Sequence, residues 1–164
     1  MRLQEGPAAV LFDVAPVGPD YLPAHAHADT LSLELSLYRH RVLVNSGTSI
    51  YADGPERARQ RGTAAHNTVV IDGQDSSEVW SSFRVARRAR PFDVRLIQKD
   101  GLQQASARHD GYTRLRGKPV HARNVRLSPG HCTVEDRIEG DFERAQSRYH
   151  FHPAVQVSVD PDGQ

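Results

Sequence analysis

Residues 23–36 read PAHAHADTLSLELS, and the second half of this stretch decides the fold class. Leucines occupy every second position from Leu31 to Leu37, and the residues between them are serine and glutamate. Successive side chains of a β-strand point to opposite faces, so this spacing predicts a strand with one buried face and one solvated face. Half-buried strands of this kind are typical of antiparallel sheets.

Short runs of β-forming residues follow one another along the rest of the chain. They read VLVN, NTVVID, FDVRLI, NVRLSP, TVEDRIE, RYHFHP and VQVSVD. Turn-forming clusters such as DGQD and SPG separate them. We therefore predict an all-β protein, an antiparallel two-sheet β-sandwich with little helix. Residues 55–61, PERARQR, are good helix formers without an apolar stripe, and they predict a solvated loop or a short helix.

Length and charge limit the classes of function. The 164 residues predict one domain, spanning residues 1–164. Lys and Arg number 21 against 20 Asp and Glu, so no basic excess indicates binding to nucleic acid or to a membrane surface. We expect no signal peptide in this chain and no membrane span, because no apolar run is long enough. The single cysteine, Cys132, excludes an intrachain disulfide, and we expect it to be buried.

His25, His27 and Asp29 occupy alternate positions just before the leucines. In a continuous strand they would share the face of Leu31 and form a polar cluster at the end of the core. Two imidazoles and a carboxylate suit a divalent metal, with the acid orienting a ligating histidine. They equally suit a general base held in place by an acid. A third interpretation is a satisfied histidine pair at a strand edge, and the spacing alone does not decide between the three.

Four short motifs follow one another in this sequence. They are H-x-H-x-D, a small-residue S-G-T turn, a loop with tyrosine and arginines, and A-H-N-T before another strand. They are formed by His25, His27 and Asp29; Ser46, Gly47 and Thr48; Tyr51 with Arg57, Arg59 and Arg61; and Ala65, His66, Asn67 and Thr68. This order closely resembles the C-terminal β domain of the heparinase II/III-like polysaccharide lyase family. Residues 76–91 and 149–153 also look like that family, so the resemblance covers most of the chain.

The resemblance implies a lyase that cleaves acidic polysaccharide by β-elimination. In that reaction the uronate carboxylate is neutralised, a base removes the proton at C5, and an acid assists departure of the oxygen at C4. In the family, the acid and most neutralising groups belong to an N-terminal α/α toroid, which this chain lacks. We therefore expect a C-terminal part of a longer periplasmic or secreted lyase, inactive as an isolated fragment.

By position, the resemblance assigns the catalytic role to His25. It assigns metal ligation, of zinc or calcium, to His27 and His66, and we expect Asp29 to orient its neighbours. Many family members have an aspartate ligand where this chain has Asn45. The neutral amide removes one negative charge, so metal affinity should fall. Either Asn45 ligates weakly through its oxygen, or Asp29 compensates, or the site is a hydrogen-bonded cluster without metal.

A hairpin turning near Arg39 would place Asn45 far along the strand from His27. Their convergence is therefore implied by the resemblance and does not follow from strand geometry.

Other side chains allow two interpretations each. Tyr51 could contact sugar or simply pack, and both remain open. Arg57, Arg59 and Arg61 could each grip a uronate or sulfate group bidentately, but we expect at least two of the three to be solvated. Trp80 and Phe83 could form a sugar platform, although buried anchors are expected. The two histidines of YHFHP alternate like a metal pair, but their aromatic neighbours favour positions at the edge of the core.

Two classes of function remain open. In the first, the chain supplies a catalytic histidine and one wall of the cleft of a polysaccharide lyase, with acidic polysaccharide and the missing toroid as partners. In the second, it is a non-catalytic carbohydrate-binding or structural β-sandwich module.

Overall fold

The computed structural model describes residues 1–158, and most of its regular structure is antiparallel β. The strands are β1 (Arg2–Glu5), β2 (Ala8–Phe12), β3 (Leu33–Leu37), β4 (His40–Leu43), β5 (Val69–Ile71), β6 (Val79–Trp80), β7 (Arg84–Val85), β8 (Pro91–Lys99), β9 (Leu102–His109), β10 (Val120–Ser128), β11 (His131–Glu139) and β12 (Ala145–Ser147). One helix, α1 (Pro55–Arg61), and a 3-10 turn, Thr63–Ala65, lie between β4 and β5.

Two four-stranded sheets form a sandwich, with strand orders β1-β2-β3-β4 and β11-β10-β9-β8. Side chains from both sheets make one apolar core, with Val10 and Leu33 on one side and Val125 and Leu127 on the other. The pairs β5-β12 and β6-β7 form two small additional sheets. The predicted all-β, antiparallel two-sheet sandwich is confirmed.

The strand predicted from residues 23–36 begins later than the alternation indicates. β3 starts at Leu33, and Leu31 has a φ of +61°, outside the range of a strand. The Ser32 amide donates to the Asp29 carbonyl, so the chain turns there. Leu31 is nevertheless fully buried in the core. The expectation of one continuous strand through the histidines is therefore wrong, and a loop positions them.

Helix α1 forms, and Pro55 lies in its first turn, where a missing amide hydrogen costs no helical bond. Its arginines are not mainly solvated as predicted: Arg57 and Arg61 are 1% and 0% exposed, and Arg59 lies at the surface. The guanidinium of Arg61 donates to the carbonyl oxygens of Ala26, Ser81 and Arg84. The helix thus packs through arginines, which take the place of an apolar stripe. Within residues 1–158, no helix has the length and apolar character needed to cross a membrane.

Some side chains differ from the sequence expectations. Trp80 and Phe83 are 50% and 44% exposed, because neither belongs to the apolar core. Cys132 is exposed as well, since it lies on β11 at the edge of its sheet. The VQVSVD run forms no strand over residues 155–158, and residues 159–160 lie outside the described part of the chain.

A buried ion pair connects the second sheet to two loops. Arg123 of β10 binds the carboxylate of Asp136 on β11 through Nε and Nη2, at 2.7 and 2.9 Å. Its Nη1 donates to the carbonyl oxygens of Leu31 and Asn67. Burial alone would raise the pKa of Asp136, but hydrogen bonds from His121 and Arg123 outweigh it and hold that pKa well below its usual range.

Asp136→Asn should lower the free energy of unfolding by about 3–5 kcal/mol, because it leaves the buried charge of Arg123 unpaired. Chemical denaturation measures the loss. Glu34→Gln is the matched control, since it removes an exposed pair with Arg41 of the kind that contributes about 0–1 kcal/mol. Equal losses in the two variants would contradict a special role for the buried pair.

The same pair predicts how stability depends on pH. A depressed pKa in the folded state gives stabilisation that is fully present above the ordinary value of 3.8 and is lost as pH falls below it. The stability advantage of the wild-type chain over Asp136→Asn should therefore shrink below that pH in urea titrations. An advantage that stays constant down to the lowest pH would show that Asp136 is not the titrating group.

Candidate functional site

Buried hydroxyl groups hold the loop that carries the H-x-H-x-D motif. Thr63 Oγ1 donates to the carbonyl oxygen of Ala28 at 2.8 Å, and Thr68 Oγ1 donates to that of Thr30 at 3.1 Å. Both bonds are buried, so water does not compete for them. They lay the loop along the A-H-N-T segment, and the histidines of the two motifs meet.

Asn67 has a structural role in the same region. Its Nδ2 donates to the carbonyl oxygens of Leu33 and Val44, at 2.8 and 3.2 Å, and its Oδ1 accepts from the amide of His150 at 2.6 Å. The ring of His150 is partly buried and donates through Nε2 to the carbonyl of Ala64 at 3.1 Å. His150 thus has a backbone partner, as expected for a histidine at the edge of the core.

His27, Asp29 and His66 form a cluster whose ligand-type atoms all lie within 4.8 Å of one another. His66 is fully buried, and the other two are partly buried. Burial lowers the pKa of His66 to about 3, and burial with the charge of Arg57 lowers the pKa of His27 to about 4. Burial and the nearby Asp13 raise the pKa of Asp29 to about 7. Both imidazoles are therefore neutral near neutral pH.

Asn45 reaches this cluster because β4 ends at Leu43 and the chain then leaves the hairpin. Its Nδ2 lies 3.1 Å from Nδ1 of His66. Its Oδ1 accepts from the amide of Gly47 at 2.8 Å. The structure thus brings Asn45 together with His66, and through the cluster with His27, as the resemblance implied. It is the amide nitrogen that faces the imidazole.

Thr48 links the cluster to a buried guanidinium. Arg57 Nη1 donates to Thr48 Oγ1 at 2.8 Å, and that oxygen lies 3.2 Å from Nε2 of His27. Neither Arg57 nor Arg61 forms an ion pair with a carboxylate of residues 1–158. Such charges are normally paired when buried. The sequence analysis gave Thr48 no role beyond its place in the S-G-T turn, and it did not anticipate the burial of Arg61.

His25 lies exposed at the edge of the site, against two aromatic rings. Its ring is 5.6 Å from that of Tyr51 and 6.0 Å from that of Phe83, edge-on to both. Those two rings are nearly parallel, at 14°, and the guanidinium carbon of Arg57 lies 5.3 and 5.8 Å from their centres. Arg57 is buried while the rings are exposed, so the rings cover it and restrict direct contact with a ligand.

A cleft of about 310 Å³ opens beside the cluster. Its lining includes His25, His27, Asp29 and Asp13. Asp13 follows β2, and nothing in the sequence around it indicates a site, because only the fold brings it near Asp29. Burial raises the pKa of Asp13 too, so the cleft contains two carboxyl groups with reduced acidity.

Arg57→Met should raise the pKa of His27 above about 4, because it removes a neighbouring positive charge. Burial is the larger cause, so the pKa should rise only part of the way to 6.5. NMR titration of the imidazole protons measures the change. Arg59→Met is the control, since Arg59 is exposed on the same helix and paired with Glu56. An unchanged His27 pKa in Arg57→Met would contradict the electrostatic coupling.

Comparison with known proteins places this architecture. Solved structures with the same fold include a heparinase III gene product, with a TM-score of 0.71 and 17% identity over 94% of this chain and 22% of that chain. A mutant of heparan sulfate lyase HepC from Pedobacter heparinus gives a TM-score of 0.68 and 19% identity over 93% of this chain and 22% of that one. A third solved structure, of a heparinase III, gives a TM-score of 0.68 and 17% identity over 99% of this chain and 24% of that chain.

The chain thus spans about a quarter or less of those solved chains, and the low identities establish the fold alone. A comparison with curated protein sequences gave no significant match. The sequence profile of the family described as heparinase II/III-like, C-terminal, matches residues 1–164. The chain therefore belongs to the heparinase II/III-like C-terminal domain family.

Proposed function

We propose that this chain is the C-terminal domain of a longer polysaccharide lyase that cleaves uronate-containing acidic polysaccharide by β-elimination. Family membership supports the proposal, and so does the small share of the solved lyase chains that it spans. The observation that carries it is the exposed His25, which lines a cleft and packs against the two aromatic rings that lie over the buried Arg57. We also propose a periplasmic or secreted location for the full protein, because such polysaccharides lie outside the cytoplasm.

His25 is the base in this proposal. β-Elimination removes the proton at C5, next to the uronate carboxylate, and a neutral imidazole accepts that proton at a ring nitrogen. Tyr51 and Phe83 pack edge-on against the His25 ring and limit its orientations. Both side chains are exposed, and aromatic rings suit the C–H face of a sugar, which would bring C5 to the imidazole.

The buried arginines favour formation of the carbanion. Loss of the C5 proton places negative charge next to a carboxylate, so positive potential at this position lowers the barrier. Arg57 is covered by the aromatic rings and therefore acts through its field, which is strong where water is excluded. Arg61 lies on the same side of α1 and adds to that field. The direct neutralising groups and the acid for the C4 oxygen would come from the N-terminal toroid.

The proposed mechanism assigns no step to a metal. The predicted ligands His27, Asn45 and His66 lie together, but Asn45 turns its amide nitrogen toward His66, and its oxygen accepts from Gly47. A divalent cation needs lone pairs from its ligands, and an amide nitrogen offers a hydrogen instead. This donor set does not fit zinc or calcium as it is arranged.

In the longer protein, His25→Ala should lower kcat by about 10²–10⁴-fold, the effect of losing a general base. Ultraviolet absorbance of the unsaturated uronate product measures turnover, with alginate and heparan sulfate as probes. His40→Ala is the control, because His40 is exposed at the β3-β4 turn. The 164-residue chain alone should show no turnover. Wild-type turnover by the His25→Ala protein would refute the assigned base, and turnover by the chain alone would refute the need for the toroid.

A non-catalytic carbohydrate-binding module is the second candidate, and the parallel rings of Tyr51 and Phe83 favour it. In both candidates these rings hold the sugar. Phe83→Ala should therefore weaken binding of an acidic oligosaccharide to the chain by about 2- to 10-fold, as expected from loss of one aromatic contact. Trp80→Ala is the control, because Trp80 is as exposed but stacks on Arg84. Calorimetry in which both variants bind equally well would contradict the platform.

A further inference from the structure

Asn45 decides which nitrogen of His66 carries the proton. The amide of Gly47 can only donate, and it lies 2.8 Å from Oδ1 of Asn45. The other end of the side-chain amide, Nδ2, is also a donor, and it lies 3.1 Å from Nδ1 of His66. Nδ1 must accept this bond with its lone pair, so the single proton of the imidazole is on Nε2.

The local backbone prevents the opposite arrangement. If the amide of Asn45 turned over, its Nδ2 would face the N–H of Gly47, and two donors would oppose each other. Gly47 has a φ of +66°, a left-handed conformation that favours glycine. The S-G turn therefore aims a fixed donor at Asn45, and through it sets the tautomer of His66.

The free nitrogen of His66 is consequently a donor. Nε2 is buried and has no hydrogen-bond partner within residues 1–158. A metal ligand must offer a lone pair, which a protonated ring nitrogen lacks.

Positive charge near His27 also disfavours a cation at this cluster. Nη1 of the buried Arg57 donates to Thr48 Oγ1, which lies 3.2 Å from Nε2 of His27. Asp29 in the cluster and Asp13 beside it are the carboxyl groups that would have to offset that charge.

We propose that Asn45 holds His66 in the tautomer protonated at Nε2, and that this cluster therefore does not bind a divalent cation. The inference itself rests on hydrogen bonding alone, and it is tested without turnover, so its failure is distinguishable from failure of the lyase proposal.

Long-range proton–nitrogen NMR of the labelled chain reads the tautomer directly. Nδ1 of His66 should appear as an unprotonated nitrogen and Nε2 as a protonated one, with His66→Ala identifying the signals. The opposite tautomer would overturn the inference.

Asn45→Asp is the decisive variant for the cation. A carboxylate at this position accepts from Gly47 and also from a protonated Nδ1, which frees the lone pair of Nε2 for a metal. In calorimetry with zinc chloride, the variant should bind zinc about 10- to 100-fold more tightly than the wild-type chain does. This is the range expected when a residue that orients a metal ligand is changed. Adding His66→Ala should abolish the gain. Wild-type zinc binding that His66→Ala weakens would overturn the inference.

Discussion

A single guanidinium, that of Arg123, ties both loops of the site to the second sheet. Its Nε and Nη2 donate to the Asp136 carboxylate, and its Nη1 donates to the carbonyl oxygens of Leu31 and Asn67. Those carbonyls belong to the two segments that carry the site histidines. Leu31 is fully buried, so its carbonyl needs a buried donor, which Arg123 Nη1 supplies. The charge of Arg123 is in turn acceptable there because Asp136 neutralises it.

The site half of the domain is held by polar groups, whereas the sandwich is held by apolar ones. Thr63, Asn67 and Thr68 are each 1% exposed or less and bond to backbone carbonyls of distant segments. Buried polar groups are costly unless paired, so each of these bonds strongly selects one loop conformation. Such rigidity suits the proposed site, in which His25 and His66 have fixed orientations.

The sequence predicts the sandwich well and the site only in part. Alternating leucines identify β3, because the alternation of apolar and polar side chains depends only on residues within that strand. The same alternation fails at Leu31, because a buried turn can place a leucine in the core as a strand does. Burial of Arg61 has no local signal either, because one of its carbonyl partners, that of Ala26, lies 35 residues away in sequence. The proximity of His27 and Asn45 was implied by the resemblance alone. The orientation of the Asn45 amide depends on the backbone N–H of Gly47, which local sequence patterns do not position.

In the proposed tautomer, one amide in place of a carboxylate leaves Nε2 of His66 without a lone pair for a cation. A dication at the cluster would also meet repulsion from the buried Arg57, which reaches His27 through Thr48. The carboxyl groups of Asp29 and Asp13 would have to offset that repulsion. The tautomer of His66 and the unpaired Arg57 therefore disfavour a cation for independent reasons, because they arise from unrelated parts of the sequence.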